Sequence, residues 1–332
     1  MLTQHDNDIV ACPSSWYLAM PTADLRRGQV KPVSIGDHEL VLFRDRAGEA
    51  HALRAHCIHM GCHLKHGTVI EDRLRCPLHY RQFDGAGRCR TAPGSQPGAA
   101  PSQPTYPSLE QFGGLFVFLG TGSAFPFPQP HDRPSGSHMT LVTRSFEIPL
   151  PWYALVANGC DLDHLQTVHL RRLKEQPIVG EISPHEFQVR YRTRIIGNGL
   201  ADRVMRWLSG DDIRATITCF GGSLMLVESK IKARQTFLLL SMKPQKAGTC
   251  VQFVVGQARG RWRVLDLLSI RITAWLFLSF LRRDIGILDQ QKLHRPDHLL
   301  TDGDRYVAKL FDYFESLDKA PHVLPRREIM SR

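Results

Sequence analysis

The sequence predicts an α+β chain of two domains: an all-β N-terminal domain, then an antiparallel sheet with a long C-terminal helix. Three observations predict it. The chain has 332 residues, and a typical domain has about 100–200. Residues 13–130 carry short apolar runs, HELVLF at 38–43 and GGLFVFLG at 113–120, bounded by Gly, Asp and Pro as short strands are. Residues 185–258 carry five longer runs of alternating or β-branched character, and a helical pattern from about 261 to 292 follows them.

Between these landmarks the elements read in order. Residues 91–108, TAPGSQPGAAPSQPTYPS, have the composition of an ordered surface loop or an extended connection. FPFPQPHDRPSGSH at 125–138 reads as an interdomain linker, which places one domain at 15–130 and the other at 140–332. TLVTRSFEIPL at 140–150 reads as a strand. PWYALVANGCDLDHLQTVHL at 151–170 reads as a helix, with Pro151 in the first turn and no breaker from Asp161 to His169. The apolar stretch VLDLLSIRITAWLFLSFL at 264–281 is interrupted by Asp266 and Arg271. A spanning helix needs about 20 predominantly apolar residues, and a central charge is costly. The stretch therefore reads as a buried amphipathic helix, with an interfacial helix resting on a membrane as the alternative. A short helix near 303–318 comes last.

The composition, 42% apolar and 22% charged, is that of a globular protein. It excludes a disordered tail, a collagen and a disulfide-stapled miniprotein. Eight cysteines are too few for a disulfide scaffold, and MLTQHDNDIV has neither a basic nor an apolar leader region. A cytoplasmic, reducing setting is therefore expected, where clustered Cys and His more often bind metal than crosslink. Lys+Arg number 42 against 32 Asp+Glu, a net charge of +10 with His neutral. That excess suits a solvated surface, an acidic protein partner or an anionic membrane. No nucleic-acid-binding signature accompanies it, so no nucleic-acid partner is expected.

Residues 57–62 read Cys-Ile-His-Met-Gly-Cys and residues 76–79 read Cys-Pro-Leu-His. The pattern is C-x-H, sixteen residues, then C-x-x-H. Two such loops can converge on one centre, with Cys57, His59, Cys76 and His79 as ligands. A tetrahedral zinc site would use the same four residue types, but zinc fingers pair like ligands, C-x₂₋₄-C with H-x₃₋₅-H. Here each loop supplies one thiolate and one imidazole. That suits a 2Fe–2S cluster with both thiolates on one iron and both imidazoles on the other.

CIHMGCHL (57–64) and CPLHYRQFD (76–84) resemble the two cluster loops of Rieske proteins, and more specifically those of Rieske non-haem iron oxygenases. Two departures stand out. Members of this family often carry Gly-Trp after the second histidine, where this chain has Tyr80-Arg81. Cys62 stands where respiratory-type Rieske proteins have a disulfide cysteine, but the expected partner position, 78, is Leu; Cys62 is read as a free thiol. His56, His63 and His66 are read as surface residues or as neighbours of the ligands.

Farther on, Asn158-Gly-Cys-Asp161-Leu-Asp163-His164 leads to His169. On an ideal helix His164 and His169 project about 140° apart, so a distortion or a helix end is needed to aim both at one metal. Alone, H-x₄-H is a weak signal. Behind Rieske-like loops, N-x-x-D-x-x-H-x₄-H resembles the mononuclear iron motif of Rieske oxygenase α subunits. Two His and one carboxylate would occupy one face of Fe(II) and leave positions open for O₂. Asp284, in RRDIGILDQQ, is the carboxylate candidate, with Asp289 second; the run resembles the family's C-terminal ligand segment.

The resemblance, over residues 15 to 300, implies more. It implies a β-sandwich Rieske domain, a helix-grip (START-like) second domain, and a head-to-tail homotrimer. In such a trimer Asp161 would bridge His79 of one subunit to His164 of the next. It implies a terminal oxygenase that uses O₂ to oxidise a bulky apolar organic substrate, such as a sterol, terpenoid or polyketide-like ring. The motif spacing favours the monooxygenase, demethylase and steroid-hydroxylase branches. The chain shows neither G-x-G-x-x-G nor C-x₄-C-x₂-C, so electrons would come from a separate NAD(P)H-dependent reductase or ferredoxin. The other readings are a Rieske electron carrier whose second domain only binds a lipid or partner, and a zinc-stabilised binding module.

Overall fold

The computed structural model describes residues 9, 11–90, 102–120, 124–131, 138–210, 212–231, 234–288 and 291–321. These form two compact units, one of Trp16–Ala124 with the residues from Ala320 on, the other of Phe125–Lys319 with the residues up to Ser15, and the fold is α+β. Residues 91–101 of the loop and 132–137 of the linker lie outside the described residues, as does Asp289. The described end of the 91–108 stretch is not loop alone, because its last residues enter two short strands.

The first unit is built of short strands: β1 (Ser15–Pro21), β2 (Val30–Ile35), β3 (His38–Arg44), β4 (Ala50–Arg54), β5 (Thr68–Ile70), β6 (Arg73–Arg75), β7 (Gln82–Phe83), β8 (Cys89–Arg90), β9 (Thr105–Tyr106), β10 (Ser108–Gln111) and β11 (Gly114–Leu119). They make three sheets, ordered β1-β11-β10, β2-β3-β4-β9 and β5-β6-β7-β8. Val41, Phe43, Leu53, Leu64, Leu74 and Phe83 form a core that also takes in Cys57 and Cys76. The two cluster loops therefore sit on a packed apolar base, which limits their freedom.

The second unit contains β12 (His138–Val142), β13 (Phe146–Ile148), α1 (Ala154–Cys160), α2 (Leu162–Thr167), β14 (Arg171–Leu173), β15 (Ile178–Ser183), β16 (Glu186–Ile195), α3 (Leu200–Ser209), β17 (Ile213–Phe220), β18 (Leu224–Ile231), β19 (Arg234–Gln245), β20 (Gly248–Ala258), α4 (Arg263–Leu288) and α5 (Asp302–Ser316). The strands form one nine-stranded sheet with the path β12-β20-β19-β18-β17-β16-β14; β13 pairs with β20 and β15 with β16. The five runs read at 185–258 supply its central strands, and every pair among them is an antiparallel neighbour in sequence. Ile270, Ala274, Leu281 and Leu288 of α4 join one core with Leu238, Phe253 and Val255 of the sheet and Phe311 and Phe314 of α5.

Four local readings change. The expected strand at 140–150 is two, β12 and β13, both paired with β20. The expected helix at 151–170 is also two. Asp161 breaks it with extended backbone (φ −77°, ψ 108°) and caps α2, its Oδ1 accepting the N–H groups of Asp163 and His164 at 2.9 and 3.0 Å. An Asp in mid-helix offers the backbone this alternative bond, and here the cap prevails. The apolar stretch at 264–281 is helical but largely uncovered: Val264 is 77% and Leu268 57% exposed. Its apolar pattern says nothing about what covers it. Finally, α3 was not anticipated from the sequence.

A buried ion pair holds α3. Arg171 on β14 donates from Nη1 to Asp202 Oδ1 at 2.9 Å, and both side chains are 2% exposed. Asp202 also accepts the Gly199 N–H at 3.1 Å, and Arg283 of α4 lies 3.5 Å away. Burial pushes the Asp202 carboxyl up, but the Arg171 guanidinium outweighs it and holds the group below its ordinary value. A depressed carboxyl stabilises the fold above its unfolded pKa of about 4, and that stability is lost as pH falls through the folded value. Asp202→Ala is expected to cost about 3–5 kcal/mol, because it strands a buried guanidinium. The expected result is a lower melting temperature at pH 7 and a difference from wild type that narrows in acid; thermal melts against pH check it.

Candidate metal centres

In the first unit, Cys57 and Cys76 are each 2% exposed, whereas His59 and His79 are exposed. The two imidazole rings lie 4.8 Å apart, nearly perpendicular. The thiols are hydrogen-bonding neighbours, and the His59 and Met60 N–H groups approach Cys57. Burial pushes the Cys57 thiol up to about 11. The donors are thus sorted, thiols inward and imidazoles outward. That arrangement fits a cluster with two unlike irons, both thiolates on one and both imidazoles on the other.

The loops reach this geometry through tight turns. Gly61 has φ 73°, and its N–H donates to Cys57 O at 2.8 Å. In the second loop the left-handed residue is Tyr80, φ 55°, with its N–H on Cys76 O at 3.1 Å. Glycine adopts that conformation freely, and a side chain strains it by roughly 1–2 kcal/mol. The Tyr80 ring packs under the Arg75 guanidinium at 5.0 Å, which offsets part of this cost. Cys62 neighbours Cys76 and is a free thiol, as read.

One residue was not found from the sequence. Gln103 is 1% exposed. Its Oε1 accepts the Ile58 N–H at 2.8 Å, and its Nε2 donates to Arg54 O and His56 O at 2.8 and 2.9 Å. It clamps the first cluster loop from 45 residues away, and no motif announces it. Gln103→Ala is expected to destabilise the unit by about 1–3 kcal/mol by leaving buried partners unpaired. It should also speed loss of visible absorbance on warming, which a melt followed in the visible range checks.

In the second unit, His164 lies on α2 and His169 just past its end, so the helix end resolves the 140° mismatch. Their Nε2 atoms lie 3.0 and 2.7 Å from the same oxygen, Asp284 Oδ1 on α4. One donor atom from each residue falls within 4.8 Å of the others. Burial pushes the Asp284 carboxyl up, but the two histidines prevail and hold it below its ordinary value. His169 is 4% exposed and stacks on Phe280 at 4.6 Å, with its Nδ1 buried and unpartnered among the described residues. This convergent set fits a two-His, one-carboxylate iron site. Asp163, beside His164 in the motif, accepts a hydrogen bond from Thr301 Oγ1 at 2.9 Å and so ties α5 to α2.

The three residues line a cavity of about 920 Å³. Its walls are apolar, with Tyr191, Ile217, Leu238 and Phe253 from the sheet and Leu276 and Phe280 from α4. Such a volume lies near the upper end of the roughly 300–1,000 Å³ typical of ligand pockets. Arg171 also lines it. Its guanidinium stands 5.0 Å over Phe280, and its Nη2 is buried with no hydrogen-bond partner among the described residues.

Residues 15–111 match the Rieske [2Fe-2S] domain. Over 200 residues the chain is 30% identical to the 4beta-methylsterol monooxygenase of Methylococcus capsulatus, a match covering 57% of this chain and 54% of that protein. It is 30% identical over 165 residues to a cholesterol 7-desaturase of Ciona intestinalis, covering 48% and 35%. The first unit thus carries a Rieske [2Fe-2S] domain, and the relatives that the chain resembles are named as a monooxygenase and a desaturase. Solved structures of this fold extend the likeness to both units. Dicamba monooxygenase bound to dicamba superposes with a TM-score of 0.66 at 18% identity, covering 92% of this chain and 98% of that one. Pseudomonas putida CBB5 NdmA with caffeine superposes at 0.66 and 17%, covering 95% and 97%. The chain spans about half or less of the length of these two curated relatives.

Proposed function

We propose that the chain is a terminal oxygenase component that oxidises a bulky, mainly apolar organic substrate with O₂ and externally supplied electrons. One observation carries the reading: His164, His169 and Asp284 converge on one point and line a large, mainly apolar cavity. Cys57, His59, Cys76 and His79 would hold the 2Fe–2S cluster, and His164, His169 and Asp284 would hold Fe(II). When bound, these groups supply one-electron transfer and O₂ activation.

The chain's own residues account for the rest. Asp161 fixes α2 by capping it, and so sets the bearing of His164. Its carboxylate also suits the link to His79 of a neighbouring copy that a head-to-tail trimer would make. Phe280 packs against His169 and fixes its ring plane. The apolar walls exclude water from the reacting carbon. Arg171 lines the cavity with an Nη2 whose N–H donors are unpaired among the described residues, which suits an oxygen substituent on an otherwise apolar frame. The sterol-acting relatives support the same substrate class. Electrons would come from a separate reductase or ferredoxin, and the net charge of +10 suits an acidic donor.

The test supplies the chain with a reductase and ferredoxin, NADH, ¹⁸O₂ and a panel of sterols and terpenoids, and reads product mass. A product that gains labelled oxygen, or loses a methyl group or two hydrogens, supports the reading. A protein that is reduced and reoxidised with two irons per chain and no substrate changed supports an electron carrier instead.

A further inference from the structure

We infer that the outer face of α4's first half, with the segment just before it, is an interfacial membrane-binding surface. It seats the mouth of the cavity on an anionic lipid bilayer. Three sets of observations converge on it.

The first is exposed apolar area. Val264 is 77%, Leu265 59%, Leu268 57%, Leu267 42% and Trp275 38% exposed, Trp262 just before the helix is 64% exposed, and Trp207 on α3 is 77% exposed. This is far beyond scattered surface leucines, and such patches mark surfaces that are covered in use. Tryptophan and branched aliphatics together are the side chains that settle at a bilayer interface.

The second is charge. Residues 259–281 contain Arg259, Arg261, Arg263 and Arg271 against one acid, Asp266, a balance of 4 − 1 = +3. All four arginines are exposed. Asp266 is turned back, accepting the Gly260 N–H at 2.9 Å. Exposed guanidinium groups clustered at the start of α4 and beside its exposed apolar side chains match an anionic headgroup layer over an acyl layer.

The third is the cavity. Leu265, Leu268, Ile272 and Trp207 are exposed and also line the cavity. The uncovered face is therefore the rim of the opening, and an apolar molecule dissolved in a bilayer meets the cavity there without crossing water. This last point rests on the oxygenase reading; the docking itself does not.

α4 meets the length and hydropathy expected of a spanning helix, but its other face excludes that arrangement. Ile270, Ala274, Leu276 and Leu281 are buried in the domain core or the cavity wall, and Asp284 meets the two histidines. The helix therefore lies along the bilayer surface, with one side in the protein and the other in lipid.

The test uses the full metal-loaded chain and flotation with vesicles of phosphatidylcholine and phosphatidylglycerol at 3:1, or of phosphatidylcholine alone. The expected result is binding to the anionic vesicles, weaker binding to the neutral ones, and release from the anionic ones by salt. The double variant Val264→Glu/Leu267→Glu touches neither metal site nor cavity wall. It should float at least about 10-fold less while keeping its iron content and melting temperature. Wild type that stays in solution with anionic vesicles overturns the inference, as does a double variant that floats equally well. If wild type ignores vesicles and the double variant dissociates a wild-type oligomer in light scattering, the face is a contact between copies and the inference fails. Iron content is read separately, so a chain without mononuclear iron that still floats would contradict only the oxygenase reading.

Discussion

Asp284→Ala is expected to leave a coloured protein that keeps its cluster iron and sulfide, has lost the mononuclear iron, and turns over at least about 100-fold more slowly. Removing a partner that merely orients a metal ligand costs 10–100-fold, so removing a ligand should cost no less. The geometry makes the expectation specific. Asp284 Oδ1 is the atom both imidazoles face, at 3.0 and 2.7 Å, so without it two imidazoles remain and no carboxylate. Asp284 is on α4, whereas the four cluster residues belong to the other unit, so the cluster spectrum should not change. Asp284→Asn keeps the side-chain volume and separates loss of the charge from loss of packing. Iron analysis and substrate-dependent turnover check both variants; activity that survives either one would show that another group completes the site.

Asp161 should separate two roles. Asparagine caps a helix about as well as aspartate, whereas alanine loses roughly 1 kcal/mol. Asp161→Asn should therefore melt like wild type and Asp161→Ala a few degrees lower. If the carboxylate also links two centres across a trimer, both variants should lose about 10–100-fold in turnover while keeping full iron content. Rapid mixing would then show the cluster reduced normally but reoxidised slowly in the presence of substrate and O₂. An Asp161→Asn protein with wild-type turnover would limit Asp161 to capping α2.

What could be read from the sequence follows from the range of the interactions. The two cluster loops are contiguous motifs, and their spacing alone sorts thiols from imidazoles. His164 and His169 are visible as a pair, but their common aim depends on where α2 ends. That end is set by the Asp161 cap, which the unbroken helical pattern at 151–170 conceals. Gln103 and the Arg171–Asp202 pair are invisible because their partners lie 45 and 31 residues away, and only the folded chain brings them together. The uncovered face of α4 shows the limit most clearly. Hydrophobic periodicity identifies a helix, but burial depends on what lies opposite, and this stretch was expected to be buried in the protein. Tyr80 is the reverse case. The unusual residue at the family's glycine position was visible, and the structure adds its left-handed backbone as the reason it matters.

The most direct measurement is a count of iron and acid-labile sulfide per chain in the purified wild-type protein, taken with its visible and paramagnetic resonance spectra. Two centres of the kinds described predict about three irons and two sulfides, with a Rieske-type signal on reduction. Two irons and two sulfides that stay unchanged in Asp284→Ala would contradict the account, as would a colourless protein carrying one zinc.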